Sequence, residues 1–252
     1  MSNKYETSLG VRFAEASTYQ DSSSYKHSYR DYEMLPQTKM AVQPPETKET
    51  YVEIPGMDGE LDLTEVLTGA PSYRSRDAQF TFTLVDRKRW DYIYSRLMNE
   101  IHGKRMRIVI DEDSRFYYTG RTKVNSFASN KNTATIVIDA HLDPYKISTV
   151  ANSERWLWDP FNFESDVARD YVDLDVPLNG ATYMIVGSRM PVRPEFKASA
   201  NDIFVSIDGG ESIELPTSYG TPIGIPALRD REYQMTFTGY GKVNIRFAVG
   251  SL

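Results

Sequence analysis

The chain has 252 residues, of which 40% are hydrophobic and 25% charged. This is the composition of an ordinary globular protein, and the length favours two domains. A net charge of −6 argues against a surface for nucleic acid or an anionic membrane, which would need clustered lysine and arginine. There is no cysteine, so disulfides, thiolate metal sites and cysteine nucleophiles are excluded, and no run approaches the ~20 apolar residues of a membrane span. We therefore expect neither nucleic acid nor a membrane as a direct partner.

The first 26 residues are polar and irregular, with three serines after Asp21. No apolar period holds there for more than a few residues, so we predict an arm that is flexible or ordered only by a partner. Beyond it, Pro36, Pro44 and Pro45 favour edge strands or connections, because a central strand cannot tolerate proline. Regular structure is predicted to strengthen after Thr50.

A run of turn-forming residues comes next. Its members are Ile54, Pro55, Gly56, Met57, Asp58 and Gly59. Pro-Gly and Asp-Gly pairs are typical of tight turns, since glycine accepts positive φ without a Cβ clash. Farther along, the alternation of Phe80, Phe82 and Leu84 predicts a half-buried strand.

One amphipathic helix is predicted from Arg87 to about Ile101, with Asp86 as its N-cap. Its apolar side chains recur at helical spacing: Trp90, Ile93, Tyr94, Leu97 and Ile101. We interpret this stripe as packing against a sheet rather than as a cofactor groove. Gly103 is predicted to end the helix.

Two strand pairs are predicted after the helix. Residues 107–110 and 115–119 flank an acidic run at 111–114, which we interpret as a solvated hairpin turn. A calcium-binding loop would need spaced ligands and a glycine. The second pair, around 123–127 and 133–140, leads into the run Asp143, Pro144, Tyr145.

Composition shifts near residue 150, which indicates a boundary between two domains. We expect an arm over 1–26, a first domain over 27–148 and a second over 149–252. In the second, alternating strands place apolar residues on common faces, and the turn at 208–210 joins a hairpin. One face carries Tyr233, Met235 and Phe237, and another carries Val243, Ile245, Phe247 and Val249. The pattern predicts a β-sandwich.

No residues have the spacing of a catalytic or metal site. The sequence lacks a nucleophile elbow, a phosphate loop and a dinucleotide fingerprint. His27, His102 and His141 are far apart, so a zinc site would require all three to converge with a carboxylate. Carboxylate pairs such as Asp170 and Asp173 are unavoidable among 35 acidic residues. We predict no enzyme activity, no metal and no cofactor.

Sugar binding is an alternative function, because a β-sandwich is a common lectin scaffold. A carbohydrate-binding module would act through residues 150–252 and contact saccharides of a host cell surface. Its candidate stacking platforms are Tyr171, Tyr183, Tyr219 and Tyr240. A third alternative, a cell-wall hydrolase, has only scattered acidic residues in its favour.

Several of these motifs, taken in order, resemble the distal tail protein (Dit) family of long-tailed siphophages over roughly residues 27–146. They are the opening segment 27–32, the turn run 54–59, the Trp90 helix followed by His102 and Gly103, the hairpin with residues 116–121, and Asp143, Pro144 and Tyr145. The remainder matches by order and size alone. Glu33 stands where the family pattern leads us to expect a glycine.

The resemblance implies an N-terminal β-sandwich or belt domain with one helix and a hairpin, which forms a six-membered ring. It also implies a C-terminal galectin-like β-sandwich, in the short form without an inserted carbohydrate-binding module. Such a ring lies at the distal end of the virion tail and is made in the bacterial host cytoplasm. The implied partners are copies of the chain itself, the tail tube protein, the tape measure and a tail-tip or tail-associated protein, with receptor-binding or baseplate proteins as further candidates.

Overall fold

The computed structural model describes residues 10–16, 24–66, 68–130, 132–149 and 170–252. The chain divides into two compact units, Met1–Lys146 with Leu252, and Ile147–Ser251. It is mainly β with one main helix, which confirms the fold class predicted from the sequence. Among the described residues, no helix combines the length and apolar character needed to cross a membrane.

The first unit is built on one continuous antiparallel sheet. Its strands are β1 (Val11–Glu15), β2 (Lys26–His27), β3 (Met34–Pro36), β4 (Tyr51–Glu53), β5 (Glu60–Asp62), β6 (Arg76–Leu84), β7 (Arg105–Ile110), β8 (Phe116–Ser129) and β9 (Ala134–Leu142), and β10 (Lys146–Ser148) spans the unit boundary. The helices are α1 (Ser28–Tyr32) and α2 (Trp90–Glu100), with 3-10 turns at Arg87–Arg89 and Asp111–Asp113. The sheet order is β2-β1-β7-β8-β9-β6-β3, and β4 and β5 form a separate hairpin.

The core of this unit lies between the sheet and α2. Phe80, Phe82 and Leu84 alternate along β6 and are buried, as predicted. Trp90, Ile93, Leu97 and Ile101 from the helix stripe join the same core. Each such side chain stabilises the fold by about 1.5–3 kcal/mol through removal of apolar surface from water.

The ends of α2 follow the predicted signals. The Asp86 carboxylate accepts a hydrogen bond from the Lys88 amide at 3.0 Å, so it caps the first turn. That turn is a 3-10 turn, and the α-helix itself begins at Trp90. Gly103 follows the helix with φ of 76°, a left-handed conformation that favours glycine.

The predicted arm over residues 1–26 is wrong for Val11–Glu15. These residues form β1, which lies between β2 and β7, and Val11 and Phe13 are buried in the core. The strand is short and its partners are distant in sequence, with Phe13 opposite Ile108, so no local pattern could indicate it. Residues 1–9 and 17–23, the rest of the arm's irregular part, lie outside the described residues.

The two strands predicted on either side of residue 120 are a single strand, β8. A Cβ at Gly120 would lie 2.2 Å from the carbonyl oxygen of His141, so a larger residue would push β9 away. The glycine permits close approach of two backbones inside the strand rather than breaking it.

The second unit has two sheets around one core. Its strands are β11 (Leu174–Val176), β12 (Ala181–Val186), β13 (Glu195–Ala198), β14 (Phe204–Ile207), β15 (Ile213–Glu214), β16 (Glu232–Thr238), β17 (Gly241–Arg246) and β18 (Gly250–Ser251). One sheet has the order β11-β17-β13 and the other β12-β16-β14-β15. Both contribute to the buried cluster that contains Phe196, Val205, Met235, Phe237 and Val243. This is the sandwich that the alternating pattern predicts, with the 208–210 turn joining β14 to β15.

Glu33 occupies a position where glycine would be less strained. It follows α1 with φ of 55°, and its amide donates to the Tyr29 carbonyl at 2.8 Å. The family-like pattern leads us to expect glycine at this position, and the left-handed backbone gives the physical reason. The Glu33 carboxylate pairs with Arg89, which ties this turn to the start of α2.

Glu100 gathers hydrogen bonds at the end of α2. Its carboxylate accepts from the Tyr32 hydroxyl at 2.6 Å, from Lys26 at 2.9 Å and from Arg96 at 3.3 Å. Partial burial raises the pKa of Glu100, but these three donors outweigh burial and lower it to about 2. Burial, followed by the hydrogen bond to Glu100, raises the pKa of Tyr32. The cluster joins β2 and α1 to α2.

We predict that Glu100→Gln destabilises the protein by about 1–2 kcal/mol at pH 7, after allowance for solvent screening of a side chain that is 30% exposed. The folded-state pKa lies below the reference value of 4.5, so the charged group stabilises the fold above that value. The difference in unfolding free energy between the natural chain and Glu100→Gln should shrink as pH falls below 4.5 and be lost as pH falls through about 2. Urea unfolding of both proteins across this pH range measures the difference in stability. The control is Glu112→Gln, which removes a carboxylate whose ion pair with Lys39 is exposed.

Candidate assembly interface

The β4–β5 hairpin is exposed along its whole length. Every residue from 48 to 62 is exposed, so none of them belongs to either core cluster. Six large apolar side chains are exposed between residues 51 and 66, out of twelve among the described residues. They are Tyr51 (51% exposed), Val52 (41%), Ile54 (40%), Met57 (44%), Leu61 (42%) and Val66 (68%). Single exposed apolar side chains are normal, but a concentration of them indicates an interaction surface.

The tip of the hairpin is the predicted turn run. Gly56 and Gly59 have φ of 85° and 80°, and the Met57 amide donates to the Ile54 carbonyl at 3.1 Å. A Cβ at either glycine would meet no atom within 4 Å, so the requirement for glycine comes from backbone conformation alone. Pro55 and Asp58 are exposed beside them. The run therefore shapes the end of a projecting element.

The hairpin is the outer part of a longer ribbon. Thr47 forms a β-bridge with Tyr73, the Lys48 amide donates to Ser72 and the Arg74 amide donates to Glu46. Nearer the tip, the Leu63 amide donates to the Thr50 carbonyl at 2.8 Å. We call residues 46–66 and 68–74 the ribbon. Its base leads directly into β6 of the sheet.

The run Asp143, Pro144, Tyr145 lies at the base of the ribbon. Tyr145 meets Tyr73 edge to face, with ring centroids 5.9 Å apart. The Pro144 carbonyl accepts a hydrogen bond from Arg76, and Asp143 pairs with Arg105. The structure therefore places this run at the base of the ribbon and the turn run 54–59 at its tip.

Arg76 connects the ribbon to this run from inside the protein. Its side chain is buried, lies 5.2 Å from the Tyr118 ring centroid, and donates to the carbonyls of Gln43 and Pro144. Burial lowers the pKa of Arg76. Its Nε has no hydrogen-bond partner in the described part of the chain. A guanidinium suits this position because its fork reaches two carbonyls at once.

Trp90, His102 and Gly103 lie with α2 rather than on the ribbon. Trp90 is buried at the start of the helix. His102 Nδ1 accepts from the Val124 amide at 3.1 Å, and the Gly103 amide donates to the Thr122 carbonyl at 2.8 Å. These contacts fasten the end of the helix to β8, so the three residues have packing roles.

A basic cleft opens elsewhere on the same unit. Its volume is about 570 Å³, and it is lined by Glu15, Ala16, Gly103, Lys104, Arg105 and Arg121. Lys104 pairs with Glu15 and Arg105 pairs with Asp143. Arg121 donates to the Gly103 carbonyl, so its charge is not offset by a paired carboxylate among the described residues. This positive charge makes the cleft complementary to an acidic segment.

The acidic turn 111–114 is more than the solvated turn that the sequence predicts. The Asp111 carboxylate accepts hydrogen bonds from the Gly10 amide, Arg12 and His27 at 2.8–2.9 Å. His27 Nδ1 accepts from the amides of Tyr29 and Arg30, so its Nε2 carries the proton donated to Asp111. This network holds β1 and α1 to β7. Sequence spacing could not reveal it, because its partners lie 84 to 101 residues away.

The described residues contain no cluster of three or more His, Asp or Glu side chains arranged to hold a metal ion. The three histidines have separate partners, with His141 2.7 Å from Asp77.

No family model and no curated protein matches the chain. Among solved structures, the Dit protein (gp 19.1) of phage SPP1 is similar over 96% of this chain and 99% of its own, with a TM-score of 0.57 at 10% identity. The chain has a Dit-like fold. The SPP1 protein is described as a paradigm of the hub adsorption apparatus in phages that infect Gram-positive bacteria. At this identity the likeness is one of fold, and it spans both units.

Within the Dit-like fold, we predict that Arg76→Ala costs about 2–4 kcal/mol of stability, since it leaves two carbonyls unpaired and opens a cavity. Arg76→Lys should cost about half as much, because an ammonium keeps the charge near Tyr118 but cannot reach both carbonyls. Thermal or urea unfolding of the full chain measures both. The control is Arg74→Ala, whose side chain is 62% exposed and whose loss should change stability by less than about 0.5 kcal/mol. Equal losses at positions 74 and 76 would contradict the role of Arg76.

Proposed function

We propose that this chain is a structural hub of a phage tail and has no enzymatic role. Copies of it close into a ring of six at the distal end of the virion tail, after synthesis in the cytoplasm of the bacterial host. The observation that carries this proposal is the apolar, fully exposed hairpin on a Dit-like fold. A hub acts through the surfaces it offers, and the ribbon is such a surface.

The hairpin needs a partner for physical reasons. An isolated two-stranded hairpin is marginally stable in water, and residues 48–62 are all exposed in the part of the chain that the structure describes. Its exposed apolar side chains stabilise the protein only when another surface covers them and removes them from water. A closed ring provides that cover, because each subunit of a cyclic assembly uses two different patches against its two neighbours.

The basic cleft is the second patch in this proposal. The ribbon between residues 46 and 65 has a single lysine, Lys48, against seven acidic residues: Glu46, Glu49, Glu53, Asp58, Glu60, Asp62 and Glu65. The cleft presents Lys104, Arg105 and Arg121. Opposite charge favours docking of the ribbon of one copy on the cleft of the next copy. The like charges of two ribbons disfavour contact between them.

The remaining parts of the proposal follow from the hub role. Residues 27–148 form the ring as a belt domain, while residues 149–252 form a galectin-like sandwich in the short form without an inserted module. The ring joins the tail tube and tape measure to the tail-tip protein, and it carries receptor-binding or baseplate proteins. In it, the turn run 54–59 is the contact tip and the run 143–145 supports the ribbon base.

Light scattering of the purified full chain tests the ring directly. We predict a particle of about six times 28.8 kDa for the natural sequence and a smaller particle for the double change Ile54→Asp, Met57→Asp, which places charge on the apolar tip. Ile223→Asp, at a side chain 98% exposed in the second unit, is the matched control and should leave the mass unchanged.

Charge reversal tests the pairing of ribbon and cleft. Glu60→Lys and Arg121→Glu should each reduce the assembled fraction, and the two changes in one chain should restore part of it, because one positive charge on the ribbon then faces one negative charge in the cleft. A natural chain that stays monomeric at every concentration, or a tip variant that assembles fully, would contradict the proposed ring contact.

A further inference from the structure

Three connections between the two sheets of the second unit meet at one end of the sandwich. They are residues 177–180 between β11 and β12, 199–203 between β13 and β14, and 239–240 between β16 and β17. Strand pairing fixes their positions: Val176 is opposite Gly241 in one sheet, and Phe204 is opposite Thr238 in the other. The 239–240 connection therefore lies between the other two.

The backbone on either side of Tyr240 is closely packed in this central connection. Gly239 and Gly241 flank it with φ of 114° and 147°. A Cβ at Gly239 would lie 2.4 Å from the Asp202 carbonyl oxygen, and one at Gly241 would lie 2.6 Å from Ser199 Oγ. Ser199 also bonds both the amide and the carbonyl of Lys242 at 2.8–2.9 Å. The backbone on both sides of the tyrosine is thus packed against the 199–203 connection.

The Tyr240 side chain nevertheless projects into solvent. It is 69% exposed, whereas the other candidate stacking tyrosines are covered. Tyr171 is buried and stacks on Phe247, Tyr183 packs on Phe237, and Tyr219 lies under Arg246, which is 3.8 Å from its ring centroid. A large aromatic ring on a closely packed backbone and open to solvent offers a platform for a flat ligand.

The two neighbouring connections at this end carry groups that can bind hydroxyls. Asn179, Asn201 and Asp202 are exposed there, and Leu178 is 85% exposed. None of the three polar side chains makes a hydrogen bond within the part of the chain that the structure describes. Their amide and carboxylate groups together supply both donors and acceptors. Asp202 has φ of 61°, a left-handed conformation that sets its backbone against Gly239.

We propose that this end of the second unit is a saccharide-binding site, in which Tyr240 stacks on one sugar ring and Asn179, Asn201 and Asp202 bind its hydroxyls. The size of the patch decides between ligand classes. One aromatic ring and one leucine offer far less than the roughly 800 Å² per partner of a stable protein interface. A single sugar ring, in contrast, is small enough to be matched by one aromatic ring. The site shares no residue with the ribbon or the basic cleft, so it does not depend on ring assembly.

The site is shallow, so single-site affinity is low. We expect a dissociation constant on the order of millimolar for a monosaccharide, since few ligand atoms are buried. A cell surface or polymer that presents many copies of the sugar would bind several protein copies at once and would be held more tightly.

Saturation-transfer NMR on the full chain tests the proposal, with glucose, galactose, N-acetylglucosamine and N-acetylgalactosamine as probes. We expect transfer to the ring protons of at least one sugar. Tyr240→Ala should weaken binding at least about tenfold, while Tyr240→Phe should retain it within about threefold, because the ring is kept. The matched control is Tyr92→Ala, which removes a tyrosine 55% exposed in the first unit and should change nothing.

Two results would overturn the saccharide site. One is the absence of transfer to all four sugars at millimolar concentration. The other is equal transfer in the natural chain and in Tyr240→Ala, with the melting temperature unchanged. Neither result bears on the hub role, which is tested by the particle mass. Conversely, a tip variant that no longer assembles should still bind sugar.

Discussion

A two-stranded hairpin without a third element is marginally stable in water, and this constraint governs the structure of the first unit. Residues 48–62 form such a hairpin and are exposed throughout. Evolution commonly removes exposed apolar strands or covers them, because they promote association. Here the chain keeps six large apolar side chains on the ribbon, and the proposed assembly contact rests on this observation.

The rest of the first unit provides a rigid support for that element. The continuous sheet, with α2 packed on it, carries the ribbon between β3 and β6. Arg76 and Tyr73 tie its base to the run 143–145, which follows β9. At the other side of the sheet, Asp111 and Glu100 hold the first strands and α1 in place through long-range hydrogen bonds. A projecting contact element loses less entropy on binding when its base is fixed in this way.

Local periodicity in the sequence was sufficient for the elements with strong patterns. The stripe of α2, the alternation of β6 and the faces of β16 and β17 are present as predicted, because each buries one face of a regular element. β1 and the Asp111 network could not be predicted, since their partners are about 100 residues away and five residues carry too little pattern. The alternation of Leu61 and Leu63 resembles that of a half-buried strand, and only the structure shows that all three residues of β5 are exposed.

Hydrogen–deuterium exchange of the purified chain, measured at a dilution where it is monomeric and at a concentration where it assembles, tests the central claim most directly. The account predicts that amides of residues 48–62 exchange fast in the monomer and slow on assembly, with a second protected region at residues 103–105 and 121 in the cleft. Amides of the buried strand β9 should change little and serve as the internal reference. If the chain assembles while the hairpin amides exchange at the same rate in both states, the ribbon is not the contact and the account is wrong.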